Sequence, residues 1–353
     1  MSIVLFIVGL AALVAGAEAL VRGASRLSLS WGISPLVVGL TVVAFGTSAP
    51  EMAVSVGAAA SGTTDLAVGN VVGSNVFNVL FILGLAALIT PLAVHVQVIR
   101  QEVPMMLAAG LVLVVMALDG GISRLEAALL VALMVGYTAF LIVQARRAPA
   151  QDQGEFAAEA PDSPWDRHWS VQMLLVLAGL ALLVLGSRWL VQAATAFATA
   201  LGVSDVIIGL TIVAAGTSLP EVAASVAASL RGQRDIAVGN VVGSNLFNIL
   251  GCLGLAGVVA PSGLPIPEAV LNFDLWVMMA ALLACLPIFM TGREIARWEG
   301  GVLLAYYGAY TAYLILAAQH HAAVAAYSTV MMSFVLPLTI VTLAVMVVQR
   351  KPH

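Results

Sequence analysis

Eleven times along this 353-residue chain the sequence runs for about the thickness of a lipid bilayer with almost no charge. A membrane-spanning helix needs roughly 20 predominantly apolar residues, and such runs fall at 2–21, 34–60, 65–90, 102–118, 124–145, 170–196, 204–230, 235–260, 269–290, 298–318 and 323–348. Backbone polar groups in lipid must be satisfied internally, and runs of this length select helices over barrel strands. Charged residues make up 9% of the chain, against about 25% in a soluble domain. The surface is therefore built for lipid, and nothing in its charge suggests a nucleic-acid partner. The stretch from Ser2 to Leu20 has no basic flank and no evident cleavage site, so it reads as a retained first helix rather than a signal peptide. Cys252 and Cys285 both lie in apolar runs without metal-type spacing and read as buried thiols, with no disulfide expected.

Between the fifth and sixth runs, Arg146 to Arg167 is rich in Asp, Glu, Pro and Gln and reads as a solvated linker. It divides the chain into a first half, 1–145, a linker, 146–169, a second half, 170–318, and a C-terminal helix and tail, 319–353. With eleven spans the connections alternate between two faces. Arg22, Arg26, Arg100, Arg146, Arg147, Arg167, Arg231, Arg234, Arg293, Arg297, Arg350 and Lys351 then share one face, and Arg124 and Arg188 take the other. The positive-inside rule puts the N-terminus outside and both the linker and the C-terminus in the cytoplasm.

Setting residue i beside residue i+170 aligns 39–80 with 209–250 without a gap, and 28 of the 42 positions are identical. The first copy reads GLTVVAFGTSAPEMAVSV and then DLAVGNVVGSNVFNVL; the second reads GLTIVAAGTSLPEVAASV and then DIAVGNVVGSNLFNIL. Five spans precede the linker, so the second copy starts from the opposite face, which relates the halves by a pseudo-two-fold axis in the membrane plane. Duplication of a packing unit would keep apolar residues. Here the identities gather on Gly, Thr, Ser, Pro, Glu and Asn, which indicates chemistry as well as packing.

Glu51 and Glu221 fall near the middle of their runs, where an acid costs roughly 2.5–3.5 kcal/mol and marks a functional position by default. Each follows Gly-Thr-Ser-x-Pro, ending in Pro50 and Pro220. Proline removes a backbone donor and glycine tolerates unusual dihedrals, so each helix should break just before its Glu. The break should free the carbonyls near Ala44 and Ala214, and irregular backbone at this depth implies a polar cavity. In the second motif Ser74 and Asn78 lie four apart on one helical face, and Ser244 and Asn248 repeat them. Carboxylates, hydroxyls, amides and carbonyls without thiol or imidazole suit Ca²⁺ or Na⁺ and argue against zinc or copper. Two ionised Glu match one divalent or two monovalent cations, a basis for exchange. Gly69, Gly73, Gly239 and Gly243 have the spacing of close helix packing. Asn70, Asn75, Asn240 and Asn245 fit a role in satisfying the broken backbone. Asp65 and Asp235 open their helices, where an acid complements the dipole. Glu18 and its counterpart Arg188 break the repeat symmetry and read as surface residues.

At GTSAPE, GTSLPE and the two GNVVGSN-x-FN motifs the sequence resembles the Ca²⁺/cation antiporter superfamily, specifically its prokaryotic sodium/calcium exchangers. The resemblance covers the first ten spans. It implies an all-α integral membrane fold of two inverted five-helix repeats, a ten-helix exchanger core, with the eleventh span as an additional C-terminal helix for packing, targeting or oligomerisation. The ligands it implies are Thr47, Ser48, Glu51, Ser74 and Asn78 in one half and Thr217, Ser218, Glu221, Ser244 and Asn248 in the other, with the backbone carbonyls of Ala44 and Ala214. It implies no cofactor; Ca²⁺ and Na⁺ are the substrates. Some relatives, the potassium-dependent branch among them, carry Asp where this chain has Asn248, which argues against potassium co-transport. The proton/calcium branch departs from GSN-x-FN, which favours Na⁺ as counter-ion.

Proton-coupled or broader divalent-cation antiport is the alternative within transport. A channel would use the same oxygens, but paired broken helices in inverted repeats fit alternating access better than a static pore. An intramembrane enzyme lacks an accompanying nucleophile with its base, a histidine metal cluster or a phosphate loop.

Overall fold

A computed structural model describes residues 2–147, 168–200 and 214–348. The spans are α1 (Ile3–Trp31), α2 (Pro35–Thr47 and Ala49–Ala60, bent by 45°), α3 (Thr64–Ile89), α4 (Val98–Ala117) and α5 (Arg124–Ala145) in the first half. In the second half come α6 (Trp169–Ala200), the shorter apolar helix α7 (Leu219–Leu230), α8 (Arg234–Val259), α9 (Val270–Met290) and α10 (Arg297–Ala318), followed by α11 (Ala323–Val345). The short helix Ala214–Gly216 precedes α7. The earlier part of the expected 204–230 span, and the linker from 148 to 167, lie outside the described residues.

α1 extends ten residues beyond its expected end at 21. Its polar last turns stay helical because they remain docked: Ser25 Oγ donates to Gln233 Oε1 at 3.2 Å, and Gly23 sits against the backbone of Gln172 and Val176 on α6. The helix at α5 likewise continues to Arg147, two residues into the expected linker.

Burial sorts the helices into an inside and an outside. The most apolar windows of α3 and α8 are 72% and 89% buried, whereas those of α10 and α11 are 6% and 0% buried. The helices carrying the repeated GNVVGSN motifs therefore form the core, and α10 and α11 form the lipid-facing rim. α11 leans on α10 through Tyr327, whose hydroxyl donates to the Ala309 carbonyl at 2.8 Å, and through a Tyr306–Thr339 hydroxyl contact.

α1 and α6 run antiparallel along a seam of small residues. Gly9 meets Gly186, Gly16 meets Gly179 and Gly23 meets Gln172, at intervals of seven along α1. A Cβ built on Gly179 would lie 2.6 Å from the Leu20 nitrogen and 2.8 Å from the Gly16 carbonyl oxygen. Only residues without side chains admit backbones this close, which is how membrane helices gain packing energy without a hydrophobic drive. Glu18 on α1 also forms an ion pair with Arg231 at the end of α7, so this exposed acid has a specific partner.

The inverted arrangement leaves its mark at both ends. Leu92–Ala93 pairs with Glu294–Ile295, and Gly121–Ile122 pairs with Leu264–Pro265. Each strand pair joins one half to the other, and each joins connections an even number of spans apart, as alternating crossings require. The α2–α3 and α7–α8 turns match as well: Gly62 and Gly232, 170 residues apart, adopt φ of +79° and +75°, a conformation that glycine reaches without steric cost.

Candidate functional site

Each repeated Gly-Thr-Ser-x-Pro-Glu breaks its helix at the serine. Ser48 has φ −81° and ψ 6°, and Ser218 has φ −89° and ψ 8°, so the turn falls where the sequence predicts it. The proline then opens the next helix at its first turn, a position where its missing N–H costs nothing. Both Glu51 and Glu221 follow in that first turn, at 0% and 1% exposure, with the positive end of a helix dipole beneath them.

The expected release of the Ala44 carbonyl is corrected by the structure. Ala44 O accepts the Ser48 N–H at 3.0 Å and also faces the Thr47 hydroxyl, whose Oγ1 lies 3.4 Å away, so it is not freed. A proline deprives the carbonyl four residues before it, and that residue is Gly46 in the first half and Gly216 in the second. The Gly216 carbonyl is satisfied from α6, where the buried Ser187 Oγ donates to it at 2.5 Å. The matching position in the first half is Ala17, which has no hydroxyl; there the Ser48 N–H turns toward both Ala44 and Gly46. Ala214 begins the short helix before the second break.

The two halves meet through crossed hydrogen bonds. Ser48 Oγ donates to Glu221 Oε1 at 3.0 Å, and Ser218 Oγ donates to Glu51 Oε1 at 2.7 Å. Ser74 Oγ lies 3.3 Å from Ser218 Oγ. The threonines cross over too: Thr47 Oγ1 is 3.1 Å from Asn240 Oδ1, and Thr217 Oγ1 is 3.4 Å from Asn70 Oδ1. Those asparagines in turn hold the backbone after each break. Asn70 Nδ2 donates to the Glu51 carbonyl at 3.2 Å and to Ser55 Oγ at 2.9 Å; Asn240 Nδ2 donates to the Glu221 carbonyl at 3.4 Å and to Ser225 Oγ at 2.9 Å. Asn70 and Asn240 thus take the backbone-satisfying role that the sequence suggests for them. Ser55 and Ser225, identical in the two copies, complete the same contact and could have been found from that identity.

Wide π-helical turns begin at Asn78 on α3, covering Asn78–Leu83, and at Phe247 on α8, covering Phe247–Cys252. Such turns concentrate at functional positions because they re-aim side chains within an otherwise regular helix. Asn78, Asn248 and Ser244 are all fully buried beside the broken helices. Gly239 and Gly243 press on the backbone of Leu36 and Leu40 of α2.

Four oxygens of the expected ligand set find no hydrogen-bond partner although they are buried: Glu51 Oε2, Glu221 Oε2, Asn78 Oδ1 and Ser244 Oγ. Leaving one such group unsatisfied costs about 1–3 kcal/mol, more for a charged one. A second buried acid shows the contrast. Glu102 at the start of α4 accepts from Gln97 Nε2 at 2.9 Å, Gln101 Nε2 at 2.7 Å and Tyr137 Oη at 2.8 Å, so both of its oxygens are occupied by donors. In the second half Asp274, at the end of the π-helical turn that opens α9, accepts from Tyr310 Oη at 2.7 Å. These acids pin α4 to α5 and α9 to α10. Glu51 and Glu221 instead each keep an oxygen open, from both halves and at one place, which is what a dehydrated cation needs.

The sequence model of a family described as sodium/calcium exchanger protein matches residues 1–143 and 171–316. The chain is 34% identical over 339 residues to the sodium/calcium exchanger MaX1 of Methanosarcina acetivorans, covering 87% of this chain and 96% of that one. It is 42% identical over 258 residues to the inner membrane protein YrbG of Escherichia coli K12, covering 73% of this chain and 79% of that one. Among solved structures, the sodium-calcium exchanger NCX_Mj soaked without Na⁺ or Ca²⁺ superposes with a TM-score of 0.76 at 29% identity, covering 89% of this chain and 98% of that one.

Proposed function

The chain belongs to the sodium/calcium exchanger family, and we propose that it exchanges Ca²⁺ for Na⁺ by alternating access at the centre built on Glu51 and Glu221. The observation that carries this reading is the set of four buried, unpartnered oxygens drawn from both halves. Together with Ser48, Ser218 and Ser74, which already touch the carboxylates or one another, they supply hard ligands in the number Ca²⁺ takes, about 6–8. Thr47 and Thr217 act mainly through the asparagines they contact.

Two carboxylates balance one Ca²⁺ or two Na⁺, so the loads compete for the same oxygens and either one relieves the repulsion of an empty centre. The hydrogen-bond partners of both carboxylates among the described residues are neutral hydroxyls, which leave that charge uncancelled. Broken helices related by a two-fold axis supply the two alternative openings. MaX1 is named a sodium/calcium exchanger, and NCX_Mj structures come from soaks in Na⁺, Ca²⁺ and Sr²⁺, which supports the ion pair. The twelve-to-two division of basic residues supports an N-terminus outside and a cytoplasmic C-terminus, in a plasma membrane of the kind YrbG is named for.

Uptake of radiolabelled Ca²⁺ into proteoliposomes under imposed Na⁺, K⁺ or H⁺ gradients tests the reading. An outward-directed Na⁺ gradient drives accumulation. Uptake that ignored Na⁺ and followed a pH gradient would replace Na⁺ with H⁺ as the coupling ion.

A further inference from the structure

Asn78 and Asn248 occupy equivalent places in the repeat, yet their amides are held in opposite senses. Asn78 Nδ2 donates to Asn245 Oδ1 at 3.2 Å, which leaves Oδ1 as the unpartnered end. Asn248 has its oxygen engaged instead: Cys252 Sγ lies 3.5 Å from Oδ1, and Nδ2 is the end left unpartnered. The acceptor that matches Asn245 Oδ1 is Asn75 Oδ1, and it too is left without a partner, while Asn75 Nδ2 donates to the Val71 carbonyl at 2.7 Å.

One residue beside the amide differs in chemistry between the halves. Cys252 lies one turn beyond Asn248 on α8, and the matching residue on α3 is Ile82, which can neither donate nor accept. The thiol is fully buried and also faces the Ser48 carbonyl at the first helix break, at 3.9 Å. It therefore sits between an amide of one half and the broken backbone of the other.

We propose that Cys252 is a positioning residue that sets which end of the Asn248 amide faces the ions. A cation is coordinated by oxygen and repelled by an amide N–H. In the ion-free centre the thiol donates to Oδ1 and Nδ2 points away from it, a donor suited to an open carboxylate. On loading, the amide turns end for end: Oδ1 joins the cation and Nδ2 donates to the sulfur, which accepts. Sulfur does both, weakly, so neither orientation is locked. This inference rests on the proposed cation centre.

The test is a double-mutant cycle on the purified full-length protein, reading apparent Ca²⁺ affinity from Ca²⁺-dependent thermal stabilisation. Cys252→Ala, which offers no partner in either orientation, is expected to weaken affinity about five-fold, the scale of one net hydrogen bond. Cys252→Ser keeps a donor and an acceptor and is expected to stay within about two-fold of wild type. Asn248→Ala weakens binding by itself, and adding Cys252→Ala to it produces no further loss, because the thiol acts through that amide. Unchanged affinity in Cys252→Ala, additive losses in the double variant, or a serine variant as weak as the alanine one would each overturn the assignment. A wild-type protein with no Ca²⁺ response would overturn the cation centre itself, and this inference with it.

Discussion

Replacing Glu51 or Glu221 with Gln separates charge from shape at the centre. The Gln carbonyl oxygen keeps the place of Oε1 and still accepts from Ser218 or Ser48, at the 2.7 and 3.0 Å seen now. The amide nitrogen takes the place of Oε2, one of the unpartnered oxygens. The site therefore loses a full charge and one ligand, and gains a donor aimed at the cation. Two unit charges about 4 Å apart interact by about 4 kcal/mol at an effective dielectric of 20, hence about 8 kcal/mol for a divalent ion. Desolvation of the carboxylate offsets much of this. If only a third survives, about 3 kcal/mol, Ca²⁺ affinity falls by roughly 100-fold. At a Ca²⁺ concentration 100 times the wild-type dissociation constant, ligand-induced stabilisation of about 2.7 kcal/mol would shrink to about 0.4 kcal/mol.

The assay is thermal unfolding of detergent-purified protein with and without Ca²⁺, paired with exchange in proteoliposomes. Both Gln variants should respond alike, because the crossed serine contacts treat the two acids equivalently. Without Ca²⁺ they should unfold at or above the wild-type temperature, since one buried like charge is gone. Asn78→Ala removes an oxygen without a charge and should cost less. Wild-type Ca²⁺ stabilisation together with wild-type exchange in either Gln variant would refute the centre.

Ser187→Ala strands the Gly216 carbonyl that Pro220 deprives of its helical donor, and should lower stability by about 1–3 kcal/mol; an unchanged melting temperature would show that the carbonyl has another partner. Gly179→Val forces a side chain into backbone contacts at 2.6–2.9 Å and should cost about 1–3 kcal/mol, whereas Gly136→Val, with no described residue within 4 Å, should be close to neutral in the same melting experiment. A single cysteine placed between 148 and 167, in a Cys252→Ser, Cys285→Ala background, should resist impermeant thiol reagents in right-side-out vesicles; ready labelling would reverse the proposed orientation.

The centre was legible because the chain writes it twice. Identity at Thr47, Ser48, Glu51, Ser74 and Asn78 with their partners 170 residues on picked polar positions out of an apolar background, and Pro50 and Pro220 located the breaks by covalent chemistry alone. What stayed hidden depends on contacts between halves, which no local pattern encodes. That Ser48 serves Glu221 rather than its neighbour Glu51 follows from docking. Ser187 and Cys252 matter because their counterparts Ala17 and Ile82 differ, so a search for repeated residues passes over them. The α1–α6 glycines were visible at intervals of seven, but uniformly apolar surroundings give such a stripe no contrast.

The crossed serines also explain how an empty centre is tolerated. Each hydroxyl carries one hydrogen and two lone pairs. With no ion present, Ser48 and Ser218 direct that hydrogen at a carboxylate of the opposite half, so each acid has one satisfied and one open oxygen. On the proposed reading, a cation at the open oxygens lets the same hydroxyls rotate and present lone pairs without moving the backbone. Each serine is also the residue at which its helix breaks. Displacing one break relative to the other therefore disturbs both crossed contacts at once. On the exchanger reading, this couples the geometry of both openings to the charge held between them, and it does so with the residues that the two copies share.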